Sequence, residues 1–241
     1  MAVSGSYMAV RVWNSAVRNV FAYGECVRRD VMPSFSDLEQ RADQIAEAEY
    51  DRLGSAPVRD HCDVDMASLA EAAHDKGLAF YETMFGIRQA VQNLFVVGLF
   101  HLLEQELADL CCDGAITAPP PTESRLAVLV AWYSRHFRLD LETIPAWPTV
   151  DELRLVANAT KHAEGSAVQQ LRIRRPELFN NPVLRETHFL AGPVKWPVRR
   201  PLSGEHFYVT PEIFQQYAEA ASSFVSDIAR HFEGHSDEFY T

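Results

Sequence analysis

The chain is most apolar at residues 90–103, which read AVQNLFVVGLFHLL. This run lies within a stretch from Met66 to Cys112 that has no proline and whose apolar residues recur at helical spacing. A single helix of that length would measure about 70 Å, so we expect a break near Gly77 or Gly86 that gives two helices or one kinked helix. The stretch therefore predicts a helical protein.

Further helices are predicted on both sides of this stretch. Ser36 with Glu39, and Thr149 with Glu152, have the spacing of a capping box at the start of a helix. Thr210 followed by Pro211 is a second kind of helix start. We predict an all-α fold, a helical bundle that forms a single domain over residues 1–241. The remaining helices are expected at residues 36–53, 123–137, 150–163, 166–175 and 210–232.

Two segments lie outside these helices. Residues 1–35 are expected to be a loosely packed N-terminal segment, because their first residues are small and polar. Residues 176–208 are rich in proline and are expected to form an irregular basic loop before the last helix. The β-leaning pieces at 188–190 and 194–198 leave a small hairpin within this loop as an alternative.

The composition excludes several classes of protein. The chain has 241 residues, of which 47% are hydrophobic and 23% charged, as in ordinary globular proteins. It has no window of about 18 uncharged apolar residues, the length that a membrane span needs. We find no secretion signal, and the four cysteines do not form a disulfide pattern. We therefore expect a cytoplasmic protein without membrane association, bound metal or cofactor.

Charge is distributed unevenly along the chain. The net charge is −11, which by itself argues against nucleic-acid binding. Between Arg154 and Arg200, however, nine Lys or Arg residues stand against three Glu. A basic segment on an acidic protein is expected where one surface meets an anion such as RNA. The alternative is a solvated loop that happens to be basic.

Four polar residues share one side of the predicted helix 150–163. At 100° per residue, Arg154, Asn158, Lys161 and His162 fall on a single stripe, and apolar residues occupy the opposite side. Arginine supplies a permanent planar cation that suits phosphate, and histidine can transfer a proton near neutral pH. Asparagine can orient either group. The alternative is an ordinary solvated stripe whose Lys–His pair interacts favourably with the helix dipole.

An arginine, a polar residue and then a histidine late in the same helix resemble the motif of the HEPN superfamily. Its members are small helical bundles that dimerise, and many are metal-independent ribonucleases of toxin–antitoxin and anti-phage systems. The resemblance implies that Arg154, Asn158 and His162 are catalytic, and that RNA and an antitoxin or other defence protein are partners. Seven residues separate Arg154 from His162, a longer interval than is usual in the family, and Leu155 stands where a polar residue is usual.

The basic residues outside the motif are candidates for RNA binding. Lys161 lies on the stripe itself, and Lys195, Arg199 and Arg200 belong to the predicted loop. Trp196 lies among the loop residues and could stack on a base. A loop packed onto the bundle by its tryptophan is the alternative.

The apolar residues between Phe80 and Leu110 fall on more than one side of the predicted helix. One bundle would bury a single side, so the surplus predicts a homodimer formed through the bundle helices.

Two other functions are compatible with the same fold. One is a non-catalytic adaptor or sensor that binds a protein or nucleotide partner, which the long Arg-to-His interval favours. The other is a metal enzyme, suggested by His101 and Glu104 three residues apart on the long helix. These two residues could instead lie beside the stripe of Arg154, as could Arg88 and Gln92.

Overall fold

The computed structural model describes residues 3–55, 65–114, 119–182, 197–237 and 239–240. The fold is all-α, as predicted, with the two-residue strands β1 (Val3–Ser4) and β2 (Phe239–Tyr240) paired antiparallel. Within these ranges, no helix combines the length and the apolar character that a membrane span requires. The helices are α1 (Gly5–Val12), α2 (Arg18–Cys26), α3 (Leu38–Gly54), α4 (Met66–Gly114), α5 (Leu126–His136), α6 (Trp147–His162), α7 (Ser166–Arg174) and α8 (Pro211–Gly234).

The long apolar stretch forms one helix, α4, of 49 residues. The alternative of two separate helices is therefore wrong, and Gly77 permits close packing of α4 on α3 instead. A Cβ atom on Gly77 would lie 2.7 Å from the carbonyl oxygen of Ala42 in α3. Gly204, at a φ of 78°, approaches α4 so closely that a Cβ atom there would lie 2.5 Å from the carbonyl oxygen of Gly86.

The first half of α4 pairs with α3 to form a two-helix arm. Small residues, Ala42, Ala46 and Gly77, lie where the two helices approach most closely. Glu49 of α3 accepts hydrogen bonds from Lys76 Nζ of α4 at 2.5 Å and from Arg52 Nη2 at 2.6 Å. Because few large apolar side chains are buried here, this buried carboxylate is a main link between the two helices.

The N-terminal segment is helical and packed, which corrects the expectation that residues 1–35 are loosely packed. Helices α1 and α2 join through a π-helical turn at Trp13–Val17. Met8, Val12, Ala16 and Val20 are fully buried and recur every four residues. In an α-helix that interval rotates the apolar side by about 40° at each step, and the wider π turn offsets part of the drift. This spacing is itself a helical signal, which the expectation of a loosely packed segment overlooked.

The bundle core surrounds α8, which packs against α1, α2, α4 and α6. Thr210 caps α8 as predicted, because its Oγ1 accepts a hydrogen bond from the backbone N–H of Ile213 at 3.3 Å. Perpendicular aromatic rings join α8 to α5: the centroid of Phe137 lies 5.0 Å from that of Phe232 and 5.1 Å from that of Tyr133.

Two buried amides of α4 hold the segment that leads into α8. Asn93 Nδ2 donates to the carbonyl oxygens of Pro201 at 2.6 Å and Phe207 at 2.9 Å. Asn93 Oδ1 accepts from the backbone N–H of Val209 at 3.3 Å and from Gln89 Nε2 at 3.0 Å. Gln89 Nε2 also donates to the carbonyl oxygen of Val209 at 2.9 Å. These bonds fix residues 201–209 against the middle of α4.

The two predicted capping boxes do not form. Helix α3 begins at Leu38, and the hydroxyl of Ser36 donates to the carbonyl oxygen of Pro33 at 2.8 Å instead. Helix α6 begins at Trp147 with a proline in its first turn. Thr149 and Glu152 therefore lie inside the helix, where their side chains are not needed as caps.

The predicted basic loop is irregular in its described parts, residues 176–182 and 197–208. Each part contains a short 3-10 turn, at Pro176–Phe179 and Pro201–Ser203. The backbone N–H of Tyr208 donates to the carbonyl oxygen of Leu178 at 2.7 Å, which joins the two parts. The alternative hairpin, together with Lys195 and Trp196, falls mainly on residues outside the described ranges.

The arm formed by α3 and α4 is predicted to weaken in acid. Hydrogen bonds from Arg52 and Lys76 lower the pKa of Glu49 from 4.5 to about 2. A carboxyl whose pKa is depressed in the folded state stabilises that state above pH 4.5, and its contribution is lost as the pH falls toward 2. Glu49→Gln should therefore lower the melting temperature at pH 6 and make little difference at pH 2.

Thermal unfolding followed by circular dichroism between pH 2 and pH 6 measures this effect. Glu47→Gln is the matched control, because Glu47 is exposed on the same helix and makes no ion pair with a described residue. Equal effects of the two substitutions at pH 6 would contradict the assigned role of Glu49.

Candidate active site

Helix α6 presents the predicted polar stripe at the surface. Arg154 and Asn158 are half-buried, and Lys161 and His162 are exposed. The opposite side of the helix is fully buried and includes Thr160, whose hydroxyl donates to the carbonyl oxygen of Val156 at 2.9 Å. The burial pattern thus agrees with the division into a polar and an apolar side that the sequence indicates.

Arg154 is held by an aspartate one turn earlier. Its Nε and Nη2 atoms donate to Asp151 Oδ1 at 2.9 and 2.6 Å, and Arg174 Nη1 donates to Asp151 Oδ2 at 3.0 Å. Burial acts to raise the pKa of Asp151, but the hydrogen bonds from the two arginines outweigh it and the pKa is lowered. Asp151 therefore stays ionised and orients the guanidinium of Arg154 while leaving part of its donor edge open.

Glu104 of α4 lies beside the stripe of α6, which is one of the two positions that the sequence analysis considered for it. Its Oε1 accepts a hydrogen bond from the backbone N–H of Leu126 at 3.0 Å. Burial raises the pKa of Glu104, and this effect exceeds the opposing effects of the Leu126 N–H and the positive charges of Lys161, His101 and Arg154. A half-buried carboxyl with a raised pKa next to cations can exchange a proton closer to neutral pH than an ordinary glutamate.

One chain does not bring Arg154 and His162 together. The eight-residue interval between them corresponds to a rise of about 12 Å along the helix. Helical side chains also lean toward the N-terminus, so Arg154 is directed toward Asp151 and away from His162. The charges of Arg154 and Lys161 both act on Glu104, and His162 ends the stripe one residue after Lys161.

The residue after His162 has a strained backbone. Ala163 ends α6 with a φ of 57° and a ψ of −136°, a conformation that glycine adopts readily and alanine rarely. The segment is fixed by Glu164, whose backbone N–H donates to the carbonyl oxygen of Val198 at 3.0 Å and whose Oε2 accepts from the Val198 N–H at 2.9 Å. These two hydrogen bonds hold the backbone at Ala163 in its strained conformation, and α6 therefore ends directly after His162.

Most described arginines of the basic segment are paired with acids. Arg175 Nη1 lies 2.5 Å from Glu152 Oε1, and Tyr217 donates to the same oxygen at 2.8 Å. Arg172 lies 3.3 Å from Glu164. The segment is consequently less cationic than its sequence indicates, because acids on α6 and in the neighbouring turns neutralise it.

The remaining candidates for RNA binding differ in their surroundings. Lys161 and Arg199 are exposed and make no ion pair with a described residue. Arg200 is exposed and lies 3.9 Å from Glu205. Lys195 lies outside the described residues. Lys161 and Arg199 are thus the two described cations of this set that form no ion pair with a described acid.

The described residues contain no group of three or more His, Cys, Asp or Glu that could hold a metal ion. His101 lies at hydrogen-bond distance, 3.2 Å, from Gln105 on the same helix. The metal site suggested by His101 and Glu104 therefore lacks further ligands within the described ranges.

Asp151 is the residue of this site that the sequence analysis did not identify. It precedes Arg154 by three residues, a spacing at which side chains meet on a helix. That spacing was the available signal. The second hydrogen bond to Asp151, from Arg174, could not be predicted, because Arg174 lies 23 residues away on another helix.

Comparison of this chain with protein-family models, with curated proteins and with solved structures finds no match in any of the three.

The strain at Ala163 predicts that a glycine there stabilises the protein. An alanine forced into this conformation costs about 1–3 kcal/mol, and 1 kcal/mol corresponds to about 2–4 °C in melting temperature at this size. Ala163→Gly should therefore raise the melting temperature by at least about 2 °C. The measurement is thermal unfolding at constant pH and protein concentration.

Ala167→Gly serves as the control, because Ala167 lies inside α7 and glycine is unfavourable within a helix. It should lower the melting temperature. A decrease for Ala163→Gly as well would show that the backbone at Ala163 is not strained.

Proposed function

We propose that this protein is a HEPN-like, metal-independent endoribonuclease that acts as a toxin or an anti-phage defence effector. The observation that carries this proposal is the stripe of Arg154, Asn158, Lys161 and His162 on the outer side of α6, with the guanidinium of Arg154 oriented by Asp151. A rigid helix that presents a fixed cation and a titratable imidazole has the groups that RNA cleavage requires.

The proposed reaction uses the RNA as its own nucleophile. The ribose 2′-hydroxyl attacks the adjacent phosphorus, the bond to the 5′-oxygen breaks, and a 2′,3′-cyclic phosphate forms. His162 accepts the proton of the 2′-hydroxyl or donates one to the departing 5′-oxygen. Arg154 binds the phosphate and stabilises the negative charge that develops on it. Asn158 orients the neighbouring groups.

Two chains would complete the site that one chain leaves open. Asn158 is midway between Arg154 and His162 in the sequence. If two α6 helices meet antiparallel with a two-fold axis near Asn158, Arg154 of each chain lies opposite His162 of the other. This arrangement removes the separation of about 12 Å within one helix and supplies two equivalent sites per dimer.

The exposed side of α4 supports such a dimer. Ile87 and Leu94 are 44% and 49% exposed, and His101 follows at the same interval of seven residues, so the three share one side of the helix. His101 also lies near Glu104, beside the stripe of α6. An apolar surface next to the proposed active site is suited to hold two copies together around it.

Cations outside the catalytic set are proposed to bind the RNA backbone. Lys161 and Arg199 are the first candidates, because both are exposed and neither is paired with a described acid. Arg200 contributes once RNA phosphate competes with Glu205 for its guanidinium. Lys195 remains a candidate from the sequence.

A non-catalytic adaptor or sensor is the second candidate function. It is favoured by the ion pair of Arg154 with Asp151, because a guanidinium already bound to a carboxylate can serve as a structural residue. This alternative predicts a stable protein that cleaves no RNA under any condition.

Cross-complementation tests the proposed site. Arg154→Ala and His162→Ala, each prepared alone, should lower cleavage of a single-stranded RNA in excess EDTA by at least about 100-fold. A mixture of equal amounts, allowed to exchange subunits, should regain about one quarter of the wild-type rate, since about half of the dimers are mixed and each holds one intact site. Cleavage is followed by gel electrophoresis of end-labelled RNA.

A DNA oligonucleotide of the same sequence is the substrate control, because it lacks the 2′-hydroxyl and should not be cut. Circular dichroism verifies that both variants fold. Continued inactivity of the mixture would contradict a shared site, and undiminished cleavage by His162→Ala would contradict the proposed function.

The α4 surface is predicted to determine assembly. Leu94→Glu places a charge where two apolar surfaces would meet, so the protein should change from a dimer to a monomer of 27.2 kDa without loss of helix. Light scattering coupled to size exclusion measures the mass. Phe21→Glu is the matched control, since Phe21 is an exposed aromatic residue on α2 and should leave the dimer intact.

A further inference from the structure

A cavity of about 270 Å³ lies between α4 and the start of α8. Phe85, Arg88 and Gln92 line it from α4, and Thr210 and Glu212 line it from the start of α8. Gln92 precedes Glu104 by twelve residues, or about 18 Å along the helix, so the cavity is separate from the stripe on α6.

Gln92 is a buried amide without a partner. It is 2% exposed, and neither Nε2 nor Oε1 makes a hydrogen bond to a described residue. Gln89, one turn earlier on α4 and also buried, donates from Nε2 to Asn93 Oδ1 and to the carbonyl oxygen of Val209. A buried amide left unpaired destabilises the folded state, so Gln92 is poorly suited to a purely structural role.

Two features of the cavity favour an anion. Arg88 is half-buried and makes no ion pair with a described residue. The start of α8, a helix of 24 residues, supplies the second. Pro211 has no N–H and the N–H of Ile213 is bound by Thr210, so the N–H of Glu212 is the first donor of the helix left for a ligand.

We propose that this cavity binds a small anionic ligand with a planar head group that both donates and accepts hydrogen bonds, a nucleoside 5′-monophosphate. Arg88 and the start of α8 bind the phosphate. Gln92 donates to and accepts from the edge of the base, as a glutamine amide does with adenine. Phe85 and Met32 supply apolar walls for the ring.

The charge and volume of the cavity set its specificity. Glu212 lines the cavity, and its negative charge opposes additional negative charge on a ligand, which favours a monophosphate over a triphosphate. A volume of about 270 Å³ is near the lower limit for a small-molecule site. The ligand is therefore a single nucleotide and not an RNA chain, and the site is independent of the proposed ribonuclease activity.

Calorimetric titration of the full chain with AMP tests the proposal. We expect saturable binding, with inorganic phosphate and adenosine each binding at least about ten-fold more weakly because each makes only part of the contacts. Gln92→Met, which keeps the side-chain volume, and Arg88→Met should each weaken AMP binding at least about ten-fold.

The stability of the ligand-free variants provides a second readout. Gln92→Met removes an unpaired buried amide and should raise the melting temperature by at least about 2 °C, whereas Gln89→Met removes a paired one and should lower it. The change in melting temperature is therefore positive if the glutamine serves a ligand and negative if it serves the structure.

Three results would overturn the proposal: no AMP binding, unchanged AMP binding by Gln92→Met, or a Gln92→Met variant destabilised as much as Gln89→Met. AMP binding by His162→Ala should equal that of the parent chain, which separates failure of this site from failure of the ribonuclease proposal.

Discussion

Asn93 is the polar residue on which the arrangement of the bundle depends. It is fully buried, and both its amide donors and both acceptor positions of its oxygen are occupied. A buried amide satisfied by main-chain groups allows a single placement of the bound segment, because every shift would leave a polar atom unpaired in the interior. The start of α8, the cavity beside it and the packing of residues 201–209 on α4 all follow from this constraint.

The fold class could be read from the sequence because it depends on local patterns. The apolar spacing of α4, the division of α6 into two sides and the Thr210 cap each involve residues within a turn or two of one another. The continuity of α4 could not be predicted from the sequence, because Gly77 permits a contact with α3, and α3 is distant from Gly77 along the chain. The N-terminal helix was missed because the expectation rested on the small, polar first residues and not on the apolar residues that recur every four positions from Met8.

The charges of the candidate site show the same limit. Counting basic residues along 154–200 omits Asp151 and Glu152, which stand just before that window and neutralise Arg154, Arg174 and Arg175. Surface charge depends on which residues the fold brings together, and the count does not contain that information. An anion that binds Arg154 must share its guanidinium with the carboxylate of Asp151 or displace that carboxylate. The affinity of the anion therefore reflects the difference in free energy between the two ion pairs.

Helix α4 extends from the α3–α4 arm through the amides at Gln89 and Asn93 to Glu104, with no break in its backbone. A continuous helix behaves as a lever. From Gln89 to Met66 it measures about 35 Å, so a tilt of about 5° at the cavity would displace the tip of the arm by about 3 Å. A molecule that binds the arm could therefore change the shape of the cavity by tilting α4. The farther from Gln89 it binds, the smaller the force needed for a given tilt.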